Sequence, residues 1–211
     1  MTISTADARA QILAAVRRHR PDACGLPHLP DAPTTDRAPQ AQFVDTLNSV
    51  GGEYREVVER ARIVDALEGE LRQRGAETVC SLLDAMPRFD LPVVQFPDPS
   101  KWPRLDVAIF PAHLGVAENA AVWIGHAHPF LRPLAFLCEH CFVVLPVSGL
   151  VTNMHEAYQR LQSAWNDPTG MGTLEYGVFV SGPSKTADIE QALVTGAQGP
   201  RSLTVFLCSS D

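Results

Sequence analysis

Residues 177–207 read GVFVSGPSKTADIEQALVTGAQGPRSLTVFL, and no other stretch constrains the fold as tightly. Val178, Phe179 and Val180 are a short β-branched and aromatic run, which predicts a strand. Gly182 and Pro183 break it. Ser184 and Thr186 are N-cap residue types, and Asp188 and Glu190 suit the first turns of a helix. Ile189, Leu193 and Val194 then fall on one helical face, and Gly196 supplies a stop. Leu203, Val205 and Leu207 alternate as a strand facing a core. Strand, helix and strand in this order predict one βαβ unit, with its two strands parallel. The N-terminus of such a helix, just beyond the carboxyl end of a strand, offers free N–H groups to an anion. Gly182, Ser184, Lys185, Thr186 and Asp188 are therefore the candidate anion-binding turn, with Lys185 adding positive charge. The competing reading is a well-capped surface turn that binds nothing.

Moving outward from this unit, Asn153 can cap a helix bearing Ala157, Leu161 and Ala164, with His155 and Glu156 in its first turn. A helix N-terminus lowers the pKa of a histidine and keeps it able to accept a proton, so His155 is a candidate acid/base; otherwise it is a surface histidine. Asp167 to Gly172 is a Pro-Gly loop and a candidate flap. Phe142 to Leu145 reads as a strand, with Cys138 and Cys141 just before it. These two cysteines form a CxxC around His140, and His126 and His128 precede them. That spacing matches no zinc-finger pattern, and a CxxC running into a strand is not a redox motif at a helix N-terminus, so no metal site is assigned. Earlier still, Asp106 to Gly125 reads as strand, turn, strand. Glu118 and Asn119 interrupt its apolar run between Val116-Ala117 and Ala120-Ala121, and Asn119 joins the ligand-binding candidates. Glu118 is either a partly buried acid/base or nucleophile with a raised pKa, or a turn carboxylate accepting a backbone N–H.

The remaining elements alternate. Phe43, Val44, Leu47 and Val50 mark a helix closed by Gly51-Gly52, and Ile63, Ala66, Leu67 and Leu71 another closed by Gly75. Strands are expected at Tyr54–Val58, Thr78–Leu82, Leu91–Phe96 and Leu105–Phe110. Alternation of this kind predicts an α/β fold of three layers around a mostly parallel sheet. Before it, Ser4 to Arg20 reads as a helix with a Ser4–Asp7 capping box and a narrow stripe of Ile12, Leu13 and Val16. Five prolines between Pro21 and Gln40 make an arm. The expected division is residues 1–40, helix and Pro-rich arm, and residues 41–211, a single domain.

The composition excludes several classes. Lys plus Arg is 17 and Asp plus Glu is 24, a net charge of −7, which disfavours nucleic acid and anionic membrane as partners. No apolar run reaches a membrane span, and the first residues lack the apolar core of a signal peptide. Five cysteines without framework spacing fit free thiols in a reducing, cytoplasmic setting. They also lack the run of about four ligands that an iron–sulfur cluster needs.

The wording GPSKTADIE followed by GAQGP, Gly182 to Glu190 and Gly196 to Pro200, closely resembles the C-terminal signature of the LUD domain, the family of lactate-utilisation proteins, in its short single-domain form. Lys185 stands where Arg is more usual, keeping the charge but losing the planar fork. The resemblance continues at Glu118, where the family carries an AETGT-like strand–turn–strand and this chain has Ala117, Glu118, Asn119, Ala120 and Ala121. His140 is similar to a His in the family's stretch before its strand, and His155 to one near its next helix. The resemblance implies a fold like the NagB/RpiA/CoA-transferase group. Members of that group use a Glu followed by Asn and Gly as nucleophile, to which Glu118-Asn119 is similar by analogy. It also implies a lactate-utilisation role, as a non-redox subunit of an iron–sulfur system oxidising L-lactate to pyruvate, with the clusters in partner subunits. The alternative is an independent CoA-transferase-like or ligase-like enzyme acting on a small carboxylate through Glu118. A small carboxylate or phosphorylated ligand, and a homo-oligomer, are compatible with either. The residues leave the cofactor open; the enzyme reading would place an anionic one at the Gly182–Asp188 turn. A purely structural interaction protein is a third reading, in which the turn at Gly182–Asp188 stays empty.

Overall fold

Along Ser202–Cys208, Leu203, Val205 and Leu207 are buried in one apolar cluster while Phe206 and Cys208 are buried in another. A strand apolar on both sides must lie inside a sheet covered on both faces. The computed structural model, which describes residues 5–22, 24–25, 36–57, 59–90, 102–125, 131–166, 176–187 and 193–209, places it so. The chain divides into two compact units, residues 1–33 and 34–211. In the first, α1 (Thr5–Arg18) has no buried residue, and Ile12 and Val16 are each 62% exposed.

The second unit carries, in order, α2 (Pro39–Ser49), β1 (Glu53–Val57), α3 (Ile63–Arg74), β2 (Val79–Leu83), β3 (Met86–Phe89), β4 (Leu105–Pro111), β5 (Leu114–Val116), β6 (Ala121–Gly125), α4 (Leu134–Leu137), β7 (Cys138–Pro146), β8 (Leu150–Val151), α5 (Met154–Asn166), β9 (Gly177–Val180), β10 (Lys185–Thr186), β11 (Val194–Thr195) and β12 (Ser202–Cys208). Six strands form the main sheet in the order β1-β12-β7-β4-β2-β3. Every neighbouring pair is parallel except β2 with β3. Pro87 on β3 sits at the sheet's edge, the position where a missing N–H costs least.

Helix α3 covers one face of this sheet. Its Ile63, Leu67 and Leu71 pack with Val79, Val107, Ile109, Phe142 and Phe206. Its end is set by Gly75 at φ 62, a left-handed position that favours glycine. The other face meets α2 through Phe43 and Leu47, together with a second sheet ordered β8-β5-β6-β9. That second sheet buries Val122 and Ile124 toward the main sheet. Its opposite face, with Val116, Ala121 and Val151, is covered by Ala157 and Leu161 of α5. The α/β class and the mostly parallel central sheet agree with the sequence. The second sheet was not foreseen, because β5, β8 and β9 are two to four residues long and give little periodicity.

The reading of residues 177–207 as a βαβ unit is corrected. β9 pairs antiparallel with β6 in the small sheet, whereas β12 lies between β1 and β7 in the large one. Between them Lys185–Thr186 pairs antiparallel with Val194–Thr195, so these residues form a hairpin and not the two ends of a helix. The physical reason is partnership. The Ser184 N–H donates to the Pro200 carbonyl, and the Ser184 carbonyl accepts the Gly196 N–H, which ties Ser184 into extended pairing and away from a cap. Leu193 and Val194, expected on a buried helical face, are 66% and 49% exposed. The strand expected at Leu91–Phe96 and the loop at Asp167–Gly172 lie outside the described residues.

Candidate functional site

The turn between β5 and β6 places Glu118 and Asn119 beside the start of α5. Glu118 is exposed, and its Oε1 accepts the Met154 N–H at 3.0 Å. Its own N–H donates to the Thr152 carbonyl. Asn119 Oδ1 accepts the Ala121 N–H at 3.0 Å, an Asx turn, and its carbonyl accepts the Ser181 hydroxyl at 2.6 Å. Asn153 caps α5 as expected, its Oδ1 accepting the Glu156 N–H at 3.0 Å. Glu156 reaches back, its Oε2 accepting the Thr152 N–H at 2.9 Å. Two carboxylates and an amide thus serve the backbone donors at the positive end of this helix. His155 stands exposed in the same first turn. The structure brings Glu118, Asn119 and His155 to one helix end. Of the two readings of Glu118, the geometry matches the turn carboxylate, exposed and accepting a backbone N–H.

The signature turn is held against the end of α2. Gly182 is buried at φ 66, and a Cβ there would meet the Val50 carbonyl oxygen at 2.8 Å. The Lys185 ammonium donates to that same Val50 carbonyl at 2.6 Å, just past the C-terminal end of α2. A cation at the negative end of a helix is a favourable place for it. Ser184 packs against Gly199, where a Cβ would lie 3.1 Å from the serine Cβ. Gly182, Ser184, Lys185 and Thr186 therefore form a clasp between the hairpin, α2 and the approach to β12. Among the described residues, Ser184 to Ala187 begin no helix, and Asp188 lies outside them.

A cleft of about 510 Å³ opens on the flank of α5, lined by His113, Leu114, Glu156, Gln159, Arg160, Leu161, Ser163 and Ala164. It lies outside the carboxyl ends of β4 and β7. His113 follows β4 by two residues, and Arg160 Nη1 donates at 3.2 Å to the carbonyl of Ser148, which follows β7. Open α/β sheets bind ligands at this end. Arg160 Nη2 also donates to Glu156 Oε1 at 3.1 Å. His113 is exposed as a residue, yet desolvation holds its imidazole below the ordinary value. Sequence reasoning missed this cleft. Two signals were present: Glu156 and Arg160 four apart on one helix face, and a histidine directly after a buried strand.

At the other end of the main sheet sits an ion-pair network that the sequence also did not disclose. Glu70, 7% exposed, accepts from Arg55 Nε at 3.0 Å and from Arg74 Nε at 3.0 Å. Arg74 also donates to Glu53 at 3.0 Å, to Ser202 at 3.2 Å and to Thr204 at 3.3 Å, and lies 5.4 Å from the Phe142 ring centre. Burial pushes the Glu70 carboxyl up, but Arg55 and Arg74 outweigh it and hold the group below its ordinary value. His140 Nδ1 is 2.8 Å from Ser202 Oγ, and burial, then Arg74 and Arg201, lower its pKa.

The cysteines of the second unit are core residues. Cys80, Cys138, Cys141 and Cys208 are all buried. Burial raises the Cys80 thiol to about 12, and Cys208 is also raised by burial. Cys141, hydrogen-bonded to the Cys138 thiol and fully buried, is raised well above its ordinary value. Among the described residues no group of three or more His, Cys, Asp or Glu is arranged to hold a metal ion, and no helix is long and apolar enough to cross a membrane. His126 and His128 lie outside the described residues.

Comparison with known proteins follows the same segment. The chain is 33% identical over 96 residues to lactate utilization protein C of Shouchella clausii, a match covering 45% of this chain and 40% of that protein. It is 34% identical over 105 residues to lactate utilization protein C of an Exiguobacterium species, covering 49% and 44%. The chain thus matches less than half the length of these curated relatives. Among solved structures, a DUF162 family protein from Deinococcus radiodurans superposes with a TM-score of 0.53 at 16% identity, over 81% of this chain and 96% of that one, a likeness of fold. The LUD domain model matches residues 101–208, a span that includes β4 through β12, just over half of the chain. With the two-sheet α/β architecture already described, that match establishes that the chain belongs to the LUD-domain family.

Proposed function

We propose that this chain serves lactate utilisation, as a non-redox subunit of an iron–sulfur system that oxidises L-lactate to pyruvate. The observation that carries the reading is the likeness to two proteins named lactate utilization protein C, at 33% and 34% identity. The state of the thiols supports the non-redox part. Thiolate, not thiol, ligates metal and attacks disulfides, and burial keeps Cys80, Cys141 and Cys208 protonated. Electron transfer is then the work of partner subunits, in a cytoplasmic complex. Glu118 supports this reading over the transferase one, because its carboxylate is engaged with the first N–H of α5.

Disruption of the gene tests the role. The expected outcome is loss of growth on L-lactate, restored by the intact chain, with an iron–sulfur protein co-purifying with it in fixed proportion. Unimpaired growth on L-lactate would overturn the reading. Growth loss without a co-purifying iron–sulfur protein would remove the partner assignment and leave the lactate role.

A further inference from the structure

The cleft beside α5 is unclaimed by anything above, and its chemistry is specific enough to name a ligand class. Arg160 anchors it. The guanidinium carries five N–H donors, and its two described bonds, to Ser148 and Glu156, use two of them. The remaining donors suit a carboxylate, whose two oxygens match the fork of an arginine. Glu156 beside it limits what enters. One cation next to one anion accepts a single carboxylate, whereas a second carboxylate on the same small molecule would face Glu156 at short range. His113 adds a neutral ring, one nitrogen donating and the other accepting, which can bond a hydroxyl or a keto oxygen. Leu114 and Leu161, 4% and 8% exposed, give an apolar wall, continued by Ala164. A few convergent polar groups over an apolar floor, at the carboxyl ends of parallel strands, are the usual make-up of a small-molecule site.

We propose that this cleft binds a small aliphatic monocarboxylate bearing a 2-hydroxy or 2-oxo oxygen. Its carboxylate sits on Arg160, its second oxygen on His113, and its carbon chain on Leu114 and Leu161. The volume of about 510 Å³ exceeds what a three-carbon acid fills, so longer aliphatic homologues fit as well. The proposal rests on the lactate-utilisation reading only in taking L-lactate and pyruvate as the first members of the class to try.

The test is isothermal titration calorimetry on the full chain with sodium L-lactate, pyruvate, 2-oxo-4-methylpentanoate, acetate and malate. Saturable binding of the first three is expected, with acetate and malate at least about tenfold weaker. A tenfold change corresponds to about 1.4 kcal/mol. Arg160→Gln should weaken pyruvate binding about tenfold or more, and Arg160→Lys should recover only part of it. Arg104→Gln, at the opposite ends of the strands, should leave binding unchanged. Ser163→Trp, one turn along α5 from Arg160, puts an indole into the cleft and should abolish binding. Melting curves on each variant separate loss of the site from loss of the fold. Absence of saturable binding by any 2-oxygenated acid, full affinity in folded Arg160→Gln or Ser163→Trp, or equal affinity for acetate would overturn the proposal. A chain that binds none of these acids while its disruption still abolishes growth on L-lactate refutes this site and leaves the lactate role standing.

Discussion

At the scale of single residues, Ala120 is the most informative. It sits at φ 54, the only described non-glycine residue with positive φ, and is completely buried. The family's AETGT-like pattern has glycine at this place, so the turn keeps a glycine's backbone with an alanine's side chain. The left-handed conformation costs an alanine roughly 1–2 kcal/mol, while losing a buried methyl and gaining chain entropy cost a glycine about the same. Ala120→Gly should therefore fall within about 0.5 kcal/mol of wild type in urea unfolding. Ala117→Gly, equally buried without that relief, should cost about 1.5 kcal/mol. Glu118 makes a second case. Glu118→Gln keeps an acceptor for the Met154 N–H but removes charge from a helix N-terminus, and should lower stability by about 0.3–1 kcal/mol. A change in stability with no change in pyruvate affinity would fit its role as a cap. The presence of a carboxylate in this turn was legible in the sequence. Its partner, an N–H contributed 36 residues later, was not.

At the scale of elements, α3 is held by charge as well as by apolar packing. The buried Glu70 and the partly exposed Glu53 together balance Arg55 and Arg74. Removing Glu70 leaves Glu53 as the one carboxylate facing both guanidiniums, so Glu70→Ala should cost about 2–3 kcal/mol, discounted for the partial exposure of the arginines. The replacement of Glu68, whose pair with Arg72 is exposed, should cost under about 0.5 kcal/mol. His140 gives the same region a pH dependence. Its folded pKa lies below its ordinary value of 6.5, so on acidification the unfolded chain takes up a proton that the folded chain refuses. Its contribution is nil well above pH 6.5 and destabilising below it, until the folded ring protonates too. Melting temperatures between pH 7.5 and pH 5 should fall less steeply in His140→Gln than in wild type. Here the sequence was legible for the helix itself, through Ile63, Leu67, Leu71 and Gly75. It was silent on the network, because Glu53, Arg55, Glu70, Arg74 and Ser202 meet only after two strands and a helix have been placed.

At the scale of the whole molecule, the α/β class followed from alternating elements, and the order of strands did not. Parallel neighbours are joined through space by residues far apart in the chain, and the hairpin at Lys185–Thr195 hid a change of sheet behind what reads as one local unit. Phe110, 1% exposed between the two sheets, tests whether they stand together. Phe110→Ala should cost about 3–5 kcal/mol, and far-ultraviolet and tryptophan signals should still report one coincident transition. The position of β12 has a consequence for how the chain is made. It is the last of the described elements in sequence, yet it fills the gap between β1 and β7, pairing Glu53 with Thr204 and His140 with Ser202. During synthesis, β1 and β7 emerge with facing edges that have no partner, and α3 has only part of its floor to rest on. The sheet can close only when residues 202–208 leave the ribosome, a pairing across about 150 positions. For that interval the nascent chain presents two open edges, the surface that chaperones guard and that truncated products leave permanently uncovered.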